Sequence, residues 1–336
     1  MGIDLPLIWA IIIGVGLMNY VIMDGFDLGI GILFPFVRDR VERDTMVNTV
    51  APVWDGNETW LVLGGAALLA AFPEAYSVIL SALYLPIVLM LAGLIWRGVA
   101  FEFRFKADDA HRPFWDKAFA WGSYVATFTQ GVSLGAFING FEVKDGAYAG
   151  GVFDFLTPFS VFTGLALIVA YALLGVTWLV MKTDGALQRR LREIGQPLAF
   201  VVVATVAIVS LWTPYTHPEV ATRWFSLPNL IFFLPVPALV LISAWLLLRA
   251  LRREESQAAP FGLALFLLFL GYTGFAISLW PNIIPPGTSI WDAAAPPQSM
   301  GFALVGALFI IPIIMAYTSW SYYVFRGKVR AGDGYH

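Results

Sequence analysis

The sequence predicts an all-α fold, a membrane bundle of nine transmembrane helices with the N-terminus outside and the C-terminus in the cytoplasm. Three observations predict it. Of 336 residues, 59% are hydrophobic and 13% charged, with a mean hydropathy of +0.76, whereas soluble domains carry about 25% charged residues. Nine stretches approach the roughly 20 apolar residues that a bilayer crossing requires. Alternate connections between them hold 18 of the 20 Lys and Arg residues, the asymmetry expected of short cytoplasmic loops.

In chain order the stretches cover 7–37, 54–73, 77–97, 118–139, 158–181, 197–213, 229–249, 260–280 and 300–326. The first is longer than one crossing needs, so it tilts or projects beyond the membrane. No basic segment precedes it in Met1-Gly2-Ile3-Asp4, so it reads as a retained helix and not a cleaved signal. Pro6 stands where a myristoylation signal requires Ser or Thr. The basic clusters Arg38 to Arg43, Arg97 to Lys117, Lys182 to Arg192, Arg249 to Arg253 and Arg326 to Arg330 mark one side, and only Lys144 and Arg223 fall on the other. That other side carries proline-rich or acidic connections at 139–157, 213–228 and 281–299. The chain is a single integral membrane domain over 1–336, with a front bundle at about 7–139 and a back bundle at about 158–326.

The composition excludes several function classes. With no cysteine, disulfides, thiolate-held iron–sulfur clusters and haem attached through Cys-x-x-Cys-His are ruled out. The three histidines, His111, His217 and His336, lie in connections or at the terminus, which excludes a buried bis-His haem within this chain. No nucleotide-binding, hydrolase or metalloprotease motif is present, and no basic tract suggests nucleic acid as a partner.

The acids are more informative, because an ionised carboxylate inside a bilayer costs about 3 kcal/mol or more. Asp24 and Asp27 stand at i, i+3 and share a helix face. By helix rise, Asp24 lies roughly 25 Å along the first span, toward the cytoplasmic side. Gly25 and Gly29 form a small-residue pair on an adjoining face, which predicts close approach of another helix and a central position for the first one. Asp55 and Glu58 repeat the i, i+3 spacing where the second span opens, with helix capping an equally good role for Asp55. Arg97 closes the third span, and Glu102 and Arg104 follow. Three helices thus bring Asp24, Asp27, Asp55, Glu58, Arg97 and Glu102 to one depth. Two readings stand level: an ion-pair network that fixes helix register, and a proton-uptake path built from desolvated carboxyls. Gln130 and Asn139 read as interhelical hydrogen bonds, and Asp292 as a cap or turn residue.

The segments Asp24-Gly-Phe-Asp-Leu-Gly-Ile-Gly31, Trp54-Asp-Gly-Asn-Glu-Thr-Trp60, Gly64-Gly65 with Ala71-Phe72-Pro73, Arg97-Gly-Val-Ala-Phe-Glu-Phe-Arg104 and Trp291-Asp292 together resemble subunit II of the cytochrome bd-type quinol oxidases. The overall length and short loops look most like the cyanide-insensitive branch. The resemblance implies a non-haem subunit of a bacterial terminal oxidase that reduces dioxygen to water with quinol electrons, in the cytoplasmic (inner) membrane, the outside being the periplasm. It implies a haem-bearing subunit I as partner, which carries haem b and haem d, or b in place of d. Small single-helix accessory subunits, quinol, lipids and a structural quinone also occur in the family. It further implies a proton route through Asp27, Asp55 and Arg97, with Asp24 and Glu102 beside it, and dioxygen access near Trp60. The competing classes are a purely structural subunit and an autonomous proton-coupled transporter.

Overall fold

The structure is a computed structural model and describes residues 3–330 and 332. Met1, Gly2 and His336 lie outside the described residues. The chain opens with α1 (Leu5–Leu33), whose N-cap Asp4 accepts a hydrogen bond from the Leu7 amide at 3.1 Å. Pro35 sits within the short 3-10 turn Phe34–Phe36 that ends the helix. A nine-residue helix that the hydropathy reading does not foresee, α2 (Arg40–Asn48), follows; it is polar and capped by Asp39.

The front half continues with α3 (Trp54–Ala71), α4 (Pro73–Ala82), α5 (Tyr84–Lys106) and α6 (Arg112–Asn139). The third predicted stretch, 77–97, is therefore two helices separated at Leu83, and its second part runs nine residues beyond Arg97. A two-residue hairpin, β1 (Val143–Lys144) with β2 (Ala147–Tyr148), leads to α7 (Pro158–Lys182), which starts on a reciprocal Thr157–Ser160 capping box. The back half holds α8 (Gly185–Thr216), α9 (Pro218–Phe225), α10 (Asn229–Phe233), α11 (Pro235–Leu251) and α12 (Ala259–Leu279). A second hairpin, β3 (Asn282–Ile284) with β4 (Thr288–Ser289), precedes α13 (Pro297–Val324).

Seven segments among the described residues are long and apolar enough to cross a membrane: α1 with its terminal turn, α5, α7, α8, α10 with α11, α12 and α13. The helices α3 and α6 fall outside that set, for an intelligible reason. The first opens on Asp55, Asn57, Glu58 and Thr59, and the second carries Ser123, Thr127, Thr129 and Gln130. Most of these α6 polar residues are turned inward, and a helix sheathed by other helices does not have to match lipid on every face.

The first helix is central. It packs against α3 and α6 of the front half and against α7, α12 and α13 of the back half. The predicted small-residue contact is made with α7: a Cβ at Gly29 would sit 1.9 Å from the Tyr171 carbonyl oxygen, and one at Gly175 would sit 2.6 Å from the Gly29 carbonyl carbon. Phe26 stacks on Trp178 with ring centroids 4.2 Å apart, which locks the same crossing one turn away. At the basic end, Lys182 donates to the Phe325 carbonyl, the Val329 amide to the Lys182 carbonyl, and Lys328 to the Thr183 carbonyl. The last helix is thereby tied to the end of α7.

Candidate functional site

The turn of α1 from Asp24 to Gly31 is buried throughout. Asp24 and Asp27 are 0% and 1% exposed, and Arg97, reaching in from α5, is 2% exposed. One Arg97 nitrogen lies 3.0 Å from Asp24 Oδ1, and the other lies 2.6 Å from Glu58 Oε1 on α3. The guanidinium also rests over the Trp54 ring, 5.9 Å from its centroid. A single cation thus joins three helices.

Asp27 is built differently. Its Oδ2 accepts from Asn57 Nδ2 at 2.7 Å, and Asn57 Oδ1 accepts from the Tyr322 hydroxyl of α13 at 2.8 Å. On the other side of Asp24 along α1, the Tyr20 hydroxyl accepts from Gln130 Nε2 at 2.6 Å, and the Tyr171 hydroxyl donates to Gln130 Oε1 at 3.1 Å. A polar seam therefore runs through an otherwise apolar interior, with contributions from α1, α3, α5, α6, α7 and α13. One guanidinium faces three carboxyls, those of Asp24, Asp27 and Glu58. Asp24 Oδ2 and Asp27 Oδ1 have no hydrogen-bond partner among the described residues. Such buried acceptors are ordinarily satisfied by ordered water or by a proton.

Of the six acid and base positions singled out from the sequence, four converge: Asp24, Asp27, Glu58 and Arg97. Asp55 and Glu102 do not join them, and both side chains are exposed. Asp55 lies in the first turn of α3, where its charge complements the helix dipole. The N-cap of that helix is Val53, which makes no side-chain bond, so Asp55 does not cap it. Trp60 is 2% exposed and its indole N–H has no acceptor among the described residues. Asp292 is a turn residue: it accepts from the Ser289 amide and hydroxyl, while α13 starts after Pro296. These hydrogen bonds hold the Asp292 carboxyl below the usual carboxylate range.

The chain matches the family described as cytochrome bd terminal oxidase subunit II over residues 5–325. That match spans nearly the whole chain. The protein belongs to the cytochrome bd oxidase subunit II family. It is 30% identical to the Escherichia coli K12 cytochrome bd-I ubiquinol oxidase subunit 2, over 98% of this chain and 96% of that one. It is 29% identical to the Bacillus subtilis 168 cytochrome bd ubiquinol oxidase subunit 2, with 96% of each covered. The fold resembles a chain of the bd oxidase from Geobacillus thermodenitrificans, with a TM-score of 0.77, 17% identity and coverage of 94% and 98%.

As a bd oxidase subunit II, the chain is part of an oxidoreductase complex, and its apolar helices make it a multi-pass protein of the bacterial inner membrane. The two described histidines do not form a buried bis-histidine haem site. His111 is exposed and bonded to Asp108, while His217 contacts Glu219 and Asn139 in a connection between helices. Among the described residues no three His, Asp or Glu side chains are placed to hold a metal ion.

Sequence reasoning about this family member missed a second ionic cluster. Arg104 is fully buried and pairs with Asp116 at 2.6 Å and Asp44 at 2.7 Å, and Arg43 reaches Asp116 at 2.8 Å. Both acids lie in segments that read as loops from hydropathy, so no periodicity flagged them. Asn57 and Tyr322 were missed as well, being single polar residues with no spacing signal. Asn57 did stand between the two acids of the Trp54–Trp60 motif, one residue before Glu58.

Proposed function

We propose that the protein is the non-haem subunit of a bd-type terminal quinol oxidase, that it scaffolds a haem-bearing subunit I, and that it supplies part of the route by which protons reach the oxygen-reducing site from the cytoplasm. In this reading all nine stretches cross the membrane, with the basic connections in the cytoplasm. The observation that carries it is the excess of carboxyls over guanidinium in the buried seam. Arg97 offsets Asp24 and Glu58 directly, while Asp27 is held only by neutral groups. A desolvated carboxyl without a cation is the position in such a cluster best suited to take up and release a proton.

Haem in the partner subunit would supply the electron transfer and the binding of oxygen. The residues of this chain hold and move protons. Glu58, partly exposed near the start of α3, is the outer member. Arg97 fixes Asp24, and Asn57 orients Asp27 with Tyr322 behind it. Asp55, in the first turn of α3 ahead of Glu58, and Glu102 on α5 are exposed and would stand at the entrance of the route. Trp60, buried on the same helix as Glu58, would lie near the entry of dioxygen. Carboxyls held as fixed ion pairs would instead serve assembly alone.

The experiment is oxygen consumption by the purified complex carrying Asp27→Asn, with haem spectra recorded in parallel. Loss of turnover with intact spectra supports proton delivery. Unchanged turnover assigns the seam to structure. No observation favours an autonomous transporter, and the family assignment opposes one.

A further inference from the structure

The α11–α12 turn is held by an unusual donor. Arg192 of α8 is 4% exposed, and its guanidinium donates to the carbonyls of Ala250, Leu251, Arg253, Glu254 and Ser256 at 2.7–3.4 Å. One buried side chain thus satisfies the open carbonyl end of α11 and fixes the turn to α8. Three arginines at this end of α11, one in its last turn and two just after it, are displayed outward. Arg249, Arg252 and Arg253 are exposed, and none makes an ion pair among the described residues. Arg249 stacks over the exposed Trp245 ring, 5.4 Å from its centroid. Glu254 and Glu255 follow in the sequence but do not line the groove.

Below the arginines lies a groove between α8 and α11, about 510 Å³ in volume, lined by Phe200, Trp245 and Leu248 with Arg249, Arg252 and Arg253 at its mouth. We propose that this groove is a binding site for one anionic glycerophospholipid, its phosphate against the three arginines and an acyl chain along Phe200 and Leu248. Charge and shape are complementary to that class of molecule. The guanidinium forks match phosphate oxygens, the apolar floor matches hydrocarbon, and Trp245 sits at the boundary, where aromatic rings favour the headgroup level. A zwitterionic lipid would bring a cation to a mouth that is already cationic. Arg192 holds the backbone of the turn before any ligand binds, which fixes where Arg252 and Arg253 leave the chain. The proposal is independent of the proton route.

The test is native mass spectrometry of the delipidated oxidase complex titrated with phosphatidylglycerol, phosphatidylcholine or inorganic phosphate. The expected result is a preference of at least about tenfold for phosphatidylglycerol over phosphatidylcholine, lost in the triple variant Arg249→Gln, Arg252→Gln, Arg253→Gln and kept in Arg326→Gln. A triple Arg→Lys variant, which keeps the charge, retains most of the preference and serves if the glutamine variant does not assemble. Equal binding of the two lipids overturns the proposal, as does an unchanged preference in the glutamine variant. Displacement by inorganic phosphate alone would make it a phosphate site. A photocrosslinker at Trp245 should label lipid; capture of subunit I there would instead make the groove a subunit interface.

Discussion

Asp24 meets the Arg97 guanidinium at 3.0 Å, with both side chains almost fully enclosed. Asp27, three residues further along the same helix, bonds to Asn57 instead. The two acids of one motif therefore have different electrostatic partners, and variants at the two positions should separate.

Arg97→Gln should be the most damaging single change in the seam. It leaves the buried Asp24 and the half-buried Glu58 without their cation, and losing one partner of a buried pair such as Asp24–Arg97 costs about 3–5 kcal/mol. The expected outcome is a large fall in the yield of assembled complex on size exclusion. Adding Asp24→Asn should restore part of that yield, because the double variant carries one uncompensated charge fewer.

Asp27→Asn should leave assembly near normal, since an amide can also bond to the Asn57 side chain. Oxygen consumption should fall by roughly tenfold or more, a barrier change of about 1.4 kcal/mol, with the haem spectra of the complex unchanged. Tyr322→Phe, which removes only the outer hydroxyl of the Asn57 bond, should give a smaller loss in the same assay.

Gly29→Ala should act on packing alone. The added methyl falls within bonding range of the Tyr171 carbonyl, so α1 and α7 must separate, at a cost of about 1–3 kcal/mol. A lowered midpoint in thermal unfolding of the complex would register it, with Gly65→Ala as control, because nothing lies near a Cβ there.

Arg104→Gln separates the second ionic cluster from the first. It removes the buried cation between Asp44 and Asp116, leaving them Arg112 and Arg43, and should lower thermal stability, while turnover per assembled complex stays at the parent value. A turnover loss equal to that of Asp27→Asn would place Arg104 in the proton route.

Asp292 gives a pH dependence outside the membrane. Its carboxyl is held below its ordinary range by the Ser289 amide and hydroxyl. The group therefore stabilises the β3–β4 hairpin above the unfolded carboxylate range and loses that contribution as pH falls through the lowered folded value. The protection factor of the Ser289 amide, its exchange measured against the intrinsic rate at each pH, should fall on acidification through the carboxylate range and stay level on alkalinisation. Asp292→Asn should reduce the pH dependence.

The sequence by itself determined the membrane class, because composition and hydropathy follow from the solvent the chain must match. It also determined most helix positions, the central first helix, and the family, whose motifs are contiguous. It placed Asp24, Asp27, Glu58 and Arg97 at one level, since helix rise converts residue number into depth. Only the tertiary structure decided which groups at that level touch. Depth says nothing of how each helix is rotated about its axis, and that rotation turns Glu58 and Arg97 toward α1 while leaving Asp55 and Glu102 exposed. Asn57, Tyr322 and Gln130 enter the seam through contacts across more than a hundred residues, or, for Asn57 with Asp27, from α3 across thirty. Asp24 and Asp27 are one motif in the sequence; packing gives one of them a cation and the other an amide.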